Sequence, residues 1–158
     1  MSNVSPLDIL AVKNVISLYC EALDAKDFAL LKKVFLQDVT ADYPFRSDLQ
    51  GVDRVANAIK IRLGPVRTHH NLTTQRIVFG DGGKSAHAVT YFQGAHFGQG
   101  PHEGKLLCAY GKYIDDLMLL EANGDTEGVP GASGIWRIKR RKVAFTQRIG
   151  DEKIMAEH

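Results

Sequence analysis

The sequence predicts an α+β fold in which one antiparallel sheet curls around a group of helices. Three observations predict it. Apolar residues recur at helical spacing up to Leu63. Strand-like runs separated by glycine-rich turns make up most of the chain beyond that residue. One stretch, RTHHNLTTQRIVFGDGGKSAHAVTYFQGAHFGQG from Arg67 to Gly100, reads as a single long β-hairpin.

Ser5-Pro6-Leu7-Asp8 is a helix start: a hydroxyl cap, a proline where the missing N–H costs nothing, and an acid in the first turn. The helix runs to about Ala25. Ile9, Val12, Ile16, Tyr19 and Leu23 form its buried stripe, and Asp8, Lys13, Asn14 and Glu21 fall largely outside it. Asp24 lies beside that stripe, either as a carboxylate at the margin of the core or as a simple helix terminator. A short second helix, about Asp27 to Phe35, turns Phe28, Leu31, Val34 and Phe35 inward. Val39 to Phe45 is a short strand carrying Tyr43, a loop reaches Gly51, and Val52 to Leu63 is a third helix stopped by Gly64-Pro65.

In the hairpin the turn is Gly80-Asp81-Gly82-Gly83, and facing residues have numbers that sum to roughly 163 to 166. His70 then faces a residue between Gln93 and His96, so two imidazoles lie within one cross-strand or diagonal step. A glycine-rich loop, Gly98 to Gly104, holds His102. Lys105 to about Leu119 is another strand, Glu121 to Gly134 a mobile loop by composition, and Ile135 to Arg148 the final strand with the only tryptophan, Trp136. The basic run Arg137, Lys139, Arg140, Arg141, Lys142 reads as a solvated strand face, Phe145 as a pocket or core residue, and the tail beyond Asp151 as too short and polar to define its own structure.

At 158 residues the chain is a single domain, 1–158 with a core of about 5–150, large enough for a core without staples. With 20 basic and 18 acidic residues, a formal charge of +2, it has no field that selects nucleic acid or an anionic membrane. Cys20 and Cys108 are the only cysteines and lie in separate elements. With no leader-like or membrane-spanning run, that pattern points to a reduced, cytoplasmic protein.

The segments ALDAKDFALLKKVF, DVTADYPF, GVDRV, RTHHNLT and GIWRIKRR, in that order, resemble the SnoaL-like branch of the nuclear transport factor 2-like (cystatin-like cone) superfamily, and within it the scytalone dehydratase group. The resemblance implies a curved sheet wrapped around three N-terminal helices, a small-molecule pocket at the cone mouth, and no cofactor. It places catalytic residues on Asp24, Tyr43, His70 and His96, and substrate-lining ones on Leu23, Leu107 and Ala109, to which the strand reading adds Phe145. The tyrosine expected just before the aspartate is Leu23 here. Polar positions on the strand after the hairpin fall on Leu107 and Ala109, which makes the pocket more apolar. A homo-oligomer, trimer or dimer, is implied as well, and an open sheet face needs covering in any case.

The chemistry can be argued from the residues themselves. Removing a proton beside a carbonyl and expelling a β-hydroxyl needs a base near neutrality, an acid for the leaving group and a donor to the developing enolate. His70 suits the base, Asp24 the carboxylate that orients an imidazole, His96 the acid and Tyr43 the oxygen donor. The expected activity is therefore a cofactor-independent lyase acting on a small cyclic or aromatic hydroxyketone. The alternatives are dehydrohalogenation, isomerisation or polyketide cyclisation on the same site, or a non-catalytic ligand-binding cone. A metal held by His69, His70, His96 and Asp24 is disfavoured, because adjacent strand histidines point to opposite faces. His87 and His102 read as structural or exposed.

Overall fold

The computed structural model describes residues 4–121 and 123–156. Helix α1, Pro6–Asp24, starts as the sequence predicts, with the Ser5 hydroxyl accepting the Leu7 N–H. Its end is a left-handed cap: Lys26 takes φ 58°, the Asp27 N–H reaches the Ala22 carbonyl at 3.0 Å and the Lys26 N–H reaches that of Leu23 at 3.3 Å. The expected second helix is a short 3-10 segment, Phe28–Lys33. Held between the α1 cap and the next strand, its six residues are too few to close a stable α-helix. Helix α2 is Val52–Leu63.

Six strands form one sheet: β1 Phe35–Tyr43, β2 Arg46–Gln50, β3 Arg67–Phe79, β4 Ser85–Phe97, β5 Leu106–Leu120 and β6 Ile135–Gly150, in the order β2-β1-β6-β5-β4-β3. All neighbours are antiparallel except β1 and β6, which run parallel. β1 starts at Phe35, earlier than the sequence suggests. The stretch read as a loop before Gly51 is the edge strand β2, whose polar residues carry no strand signal. Asp48 there sits at φ 55° with its N–H on Asp42 Oδ1 at 2.8 Å. In the long hairpin the facing numbers sum to 164 up to the Leu72↔Phe92 pair and to 165 beyond a bulge. Gly82 and Gly83 make the turn at φ 81° and 70°, where other residues are strained.

The concave face packs on α1 and α2 around Ile16, Leu31, Val39, Val55, Ile59 and Ile138, all buried. Several expectations about polar segments need correction. Asp8 is 0% exposed, because its carboxylate reaches across to loop residue Ser133, at 2.8 Å (N–H) and 2.6 Å (Oγ), and to Trp136 Nε1 at 3.3 Å. The loop before β6 is therefore tied down rather than loose. Glu127 also grips Arg137 through two 2.7 Å bonds, and Val129 is buried. The basic run of β6 is not one solvated face, since Arg141 turns into the core and Arg137 is buried against Glu127, while Lys139, Arg140 and Lys142 face water. The tail is ordered too: Ile154 and Met155 are buried after a 3-10 turn at Glu152–Ile154. Among the described residues, no helix is long and apolar enough to cross a membrane.

Candidate active site

The site forms where the C-terminus of α1 meets the first strand of the long hairpin. A helix C-terminus is electrostatically unfavourable for a carboxylate, so Asp24 must be held there by donors. Oδ1 takes His70 Nδ1 at 2.7 Å and the Thr68 hydroxyl at 2.8 Å, and Oδ2 takes the His70 backbone N–H at 2.9 Å. Burial by itself would raise the carboxyl, but the bonds from the His70 ring, its backbone and Thr68 hold it below the usual carboxylate range. Asp24 is thus ionised at neutral pH. It fixes the proton of His70 on Nδ1 and leaves Nε2 as the free basic edge of the ring.

His70 faces Gly94 across the ladder, and His96 lies two residues further along β4 on the same face. The two rings stand nearly perpendicular with centroids 6.1 Å apart. They meet over Gly94, where an added Cβ would lie 3.2 Å from His70 Cδ2, 3.3 Å from His70 Nε2 and 3.4 Å from His96 Cε1. The His96 Nδ1–H donates to the Leu107 carbonyl at 3.1 Å. Burial pushes this imidazole down to about 4; the Leu107 bond opposes the shift, and the charges of His70, Arg148 and Arg62 add to it. At neutral pH His96 is therefore uncharged, with Nε2 as an acceptor.

Both histidines line an apolar cavity of about 60 Å³ together with Tyr19, Leu23, Tyr43, Ala109, Tyr113 and Phe145. That volume holds about four waters. A second lobe of about 50 Å³ shares Phe45, Leu63, His96, Ala109 and Phe145 and adds Leu107, Arg62, Arg148 and Met155. The ordered tail closes this lobe: Arg62 Nη1 holds the Ala156 carbonyl at 2.8 Å and Arg148 pairs with Glu152 at 3.3 Å. Each guanidinium also lies over an aromatic ring at the mouth, Arg62 5.6 Å from the centroid of Phe45 and Arg148 5.3 Å from that of Phe145.

All eight candidate residues named from the sequence surround these two lobes, Asp24 through its bond to His70. His69 does not. It points to the outer face and pairs with Asn71, and among the described residues no three His, Cys, Asp or Glu side chains group as metal ligands would. His87 pairs with Asp116 on the outer face, and His102 is half-buried beside Lys105.

The structure adds residues that the sequence did not single out. Tyr19 Oη lies 3.0 Å from Tyr43 Oη, and burial raises both phenols above their ordinary value, so both stay protonated. Two hydroxyls share one bond, which leaves one O–H for a ligand. Behind them Arg141, 0% exposed, is clamped between the rings of Tyr19 and Tyr113 at 4.1 and 4.2 Å and forks onto Asp115 with two 2.7 Å bonds. Its Nη1 has no hydrogen-bond partner among the described residues. Tyr19 carried a readable signal: it precedes Leu23 by one helical turn on the same face.

A model of the SnoaL-like domain matches residues 5–142. The chain belongs to the SnoaL-like family, in the nuclear transport factor 2-like superfamily. No functionally curated protein matches it. Among solved structures, this SnoaL-like chain is similar to a candidate scytalone dehydratase from Novosphingobium aromaticivorans, with TM-score 0.75, 19% identity, and 92% of this chain and 88% of that one covered. It is also similar to the hexachlorocyclohexane dehydrochlorinase LinA-type3 from Novosphingobium barchaimii (TM-score 0.74, 10% identity, 92% and 90% covered). A third is the Kfla4162 protein from Kribbella flavida (TM-score 0.74, 16% identity, 90% and 93% covered). At these identities the likeness establishes the fold, the SnoaL-like cone.

Proposed function

We propose that this protein is a cofactor-independent lyase that eliminates a β-leaving group from a small cyclic or aromatic ketone, dehydration of a hydroxyketone being the first reading. The observation that carries it is the Asp24–His70 pair, with Nδ1 tied to the carboxylate at 2.7 Å and the ring lining an apolar cavity. His70 Nε2 takes the proton beside the carbonyl, and Asp24 stabilises the imidazolium that results. The free O–H of the Tyr19–Tyr43 pair donates to the carbonyl oxygen as enolate charge develops. The protonated His70 then returns its proton to the departing hydroxyl, so base and acid are the same ring and the elimination takes place on one face. His96 enters as an acceptor that orients a substrate hydroxyl, because its Nδ1–H is committed to Leu107 and its Nε2 is unprotonated. That part differs from the acid role the sequence suggested.

A second reading uses the same dyad to expel halide. A leaving group that needs no proton suits a site whose second histidine is neutral, and a dehydrochlorinase shares the fold. Self-association through the outer sheet face belongs to the same proposal, since Tyr91, Tyr110 and the 61% exposed Ile149 crowd one end of it. Sedimentation equilibrium measures it.

The test is a turnover screen of small hydroxyketones, phenolic polyketides and halogenated rings on the wild type and His70→Ala. Turnover that disappears in the variant supports the lyase and separates dehydration from dehydrohalogenation by the product released. Ligands bound equally by both proteins with no turnover in either would leave a binding cone.

A further inference from the structure

Lys26 occupies a conformation that suits glycine. It is the left-handed residue that ends α1, at φ 58°, where a side chain is strained and Gly or Asn is the usual choice. Strain of this kind at a residue with its own polar contact points toward a role. The contact is specific. Lys26 Nζ donates to Thr68 Oγ1 at 3.1 Å, Thr68 Oγ1 donates to Asp24 Oδ1 at 2.8 Å, and the same Oδ1 holds His70 Nδ1 at 2.7 Å. The lysine is half-buried and lines neither lobe of the cavity. The left-handed turn folds its side chain back over the end of the helix onto Thr68.

We propose that Lys26 is a positioning residue: through Thr68 it fixes the rotamer of Asp24 and sets how strongly that carboxylate stabilises the charged form of His70. The proposal rests on the acid–base reading above. A hydroxyl oxygen that already accepts from an ammonium is a stronger donor. Thr68 therefore draws charge from Oδ1, and the imidazolium that shares this oxygen is stabilised less. The ammonium also opposes the imidazolium directly. Both effects keep His70 a weaker base and, once protonated, a readier acid, as a ring that must both take and return one proton requires. The charged and titratable groups around His70 are Asp24 from the end of α1, with Lys26 behind Thr68, His96 from β4, and Tyr19, Tyr43 and Tyr113 across the cavity, with Arg62 and Arg148 beyond His96.

The experiment needs no substrate. The His70 imidazole is followed by NMR through a pH titration in the wild type, Lys26→Met, Lys26→Arg, Lys26→Gly and Thr68→Val. The expected result is a midpoint displaced to higher pH by about half a unit in Lys26→Met and Lys26→Gly. Lys26→Arg should titrate as the wild type does. Lys26→Gly, which relieves the left-handed backbone, should melt no lower than Lys26→Met. Thr68→Val should displace the midpoint in the same direction, and adding Lys26→Met to it should displace it further by less than Lys26→Met does alone, because only the direct repulsion is then left to remove. An unmoved midpoint in both Lys26→Met and Lys26→Gly would overturn the proposal and leave Lys26 a helix terminator. The lyase reading fails by a different result, a wild type with no turnover, so the two failures are distinguishable.

Discussion

His96 makes the sharpest prediction, because its part in the site depends on staying neutral while it is buried. The perturbation is a change of pH from 7.5 to 5.0. In the unfolded chain a histidine titrates near 6.5, whereas in the fold burial pushes His96 down to about 4. Between those values the unfolded state binds a proton that the folded state refuses, so stability is full above pH 6.5, falls as the pH drops through that value, and stops falling near pH 4. Over the whole window the loss is on the order of 3 kcal/mol, and at pH 5.0 it is about 2 kcal/mol. For a domain of this size that lowers Tm by about 4–8 °C. Asp24 does not confuse the measurement: its folded value lies below the usual carboxylate range, so its stabilisation is lost only at lower pH, as the pH falls through that folded value.

The assay is thermal and urea unfolding at both pH values for the wild type and His96→Asn. The asparagine amide can keep the donation to the Leu107 carbonyl but cannot titrate. The wild type should lose about 2 kcal/mol more than the variant between pH 7.5 and 5.0. Equal losses would refute the reasoning. They would show that His96 accepts a proton in the folded state near its ordinary value, and would restore it as the acid for the leaving group.

The same geometry makes three more predictions. Asp24→Asn, which cannot stabilise the imidazolium and can pair with the wrong tautomer of His70, should lower kcat by about 10²-fold or more with KM little changed, as steady-state kinetics on the substrate from the screen would show. Gly94→Ala should fold normally, because Gly94 is absent from the left-handed positions, yet should cut turnover by about tenfold, since its Cβ would stand 3.2 to 3.4 Å from both rings. Arg141→Met should cost about 3–5 kcal/mol in urea unfolding by stranding Asp115, while Arg141→Met with Asp115→Leu should recover most of that loss; a double variant no better than the single would show that the guanidinium matters for packing on Tyr19 and Tyr113 rather than as the counter-ion.

The hairpin was legible because its turn dictates its register. Glycines at Gly82 and Gly83 leave few ways to close the loop, and once it is closed the pairing of His70 with a residue between Gln93 and His96 follows by counting, although the bulge beyond Leu72 that selects Gly94 carries no local signal. The end of α1 was legible for a similar local reason. The burial of Asp8, Arg137 and Arg141 was not, because the partners that make it tolerable are Ser133, Glu127 and Asp115, which lie on other elements. Nothing in the run Arg137 to Lys142 says that a register shift near Asp116 and Leu117 will put Arg141 on the inner face with Ile138, or that Glu127 will cover Arg137 on the opposite face. The parallel pairing of β1 with β6 likewise joins residues far apart in the chain, as in Thr40↔Arg140, and carries no local signature.

Leu23 shows how a departure in sequence can be answered in space. The resemblance expects a hydroxyl at that position, beside Asp24, and the chain places leucine there. Tyr19 sits one turn earlier on the same face of α1, about 5.4 Å along the helix axis, and its hydroxyl meets Tyr43 at 3.0 Å. A pair of tyrosine hydroxyls is therefore present after all, but set deeper in the cone, against Phe35, Tyr113 and the Arg141 guanidinium.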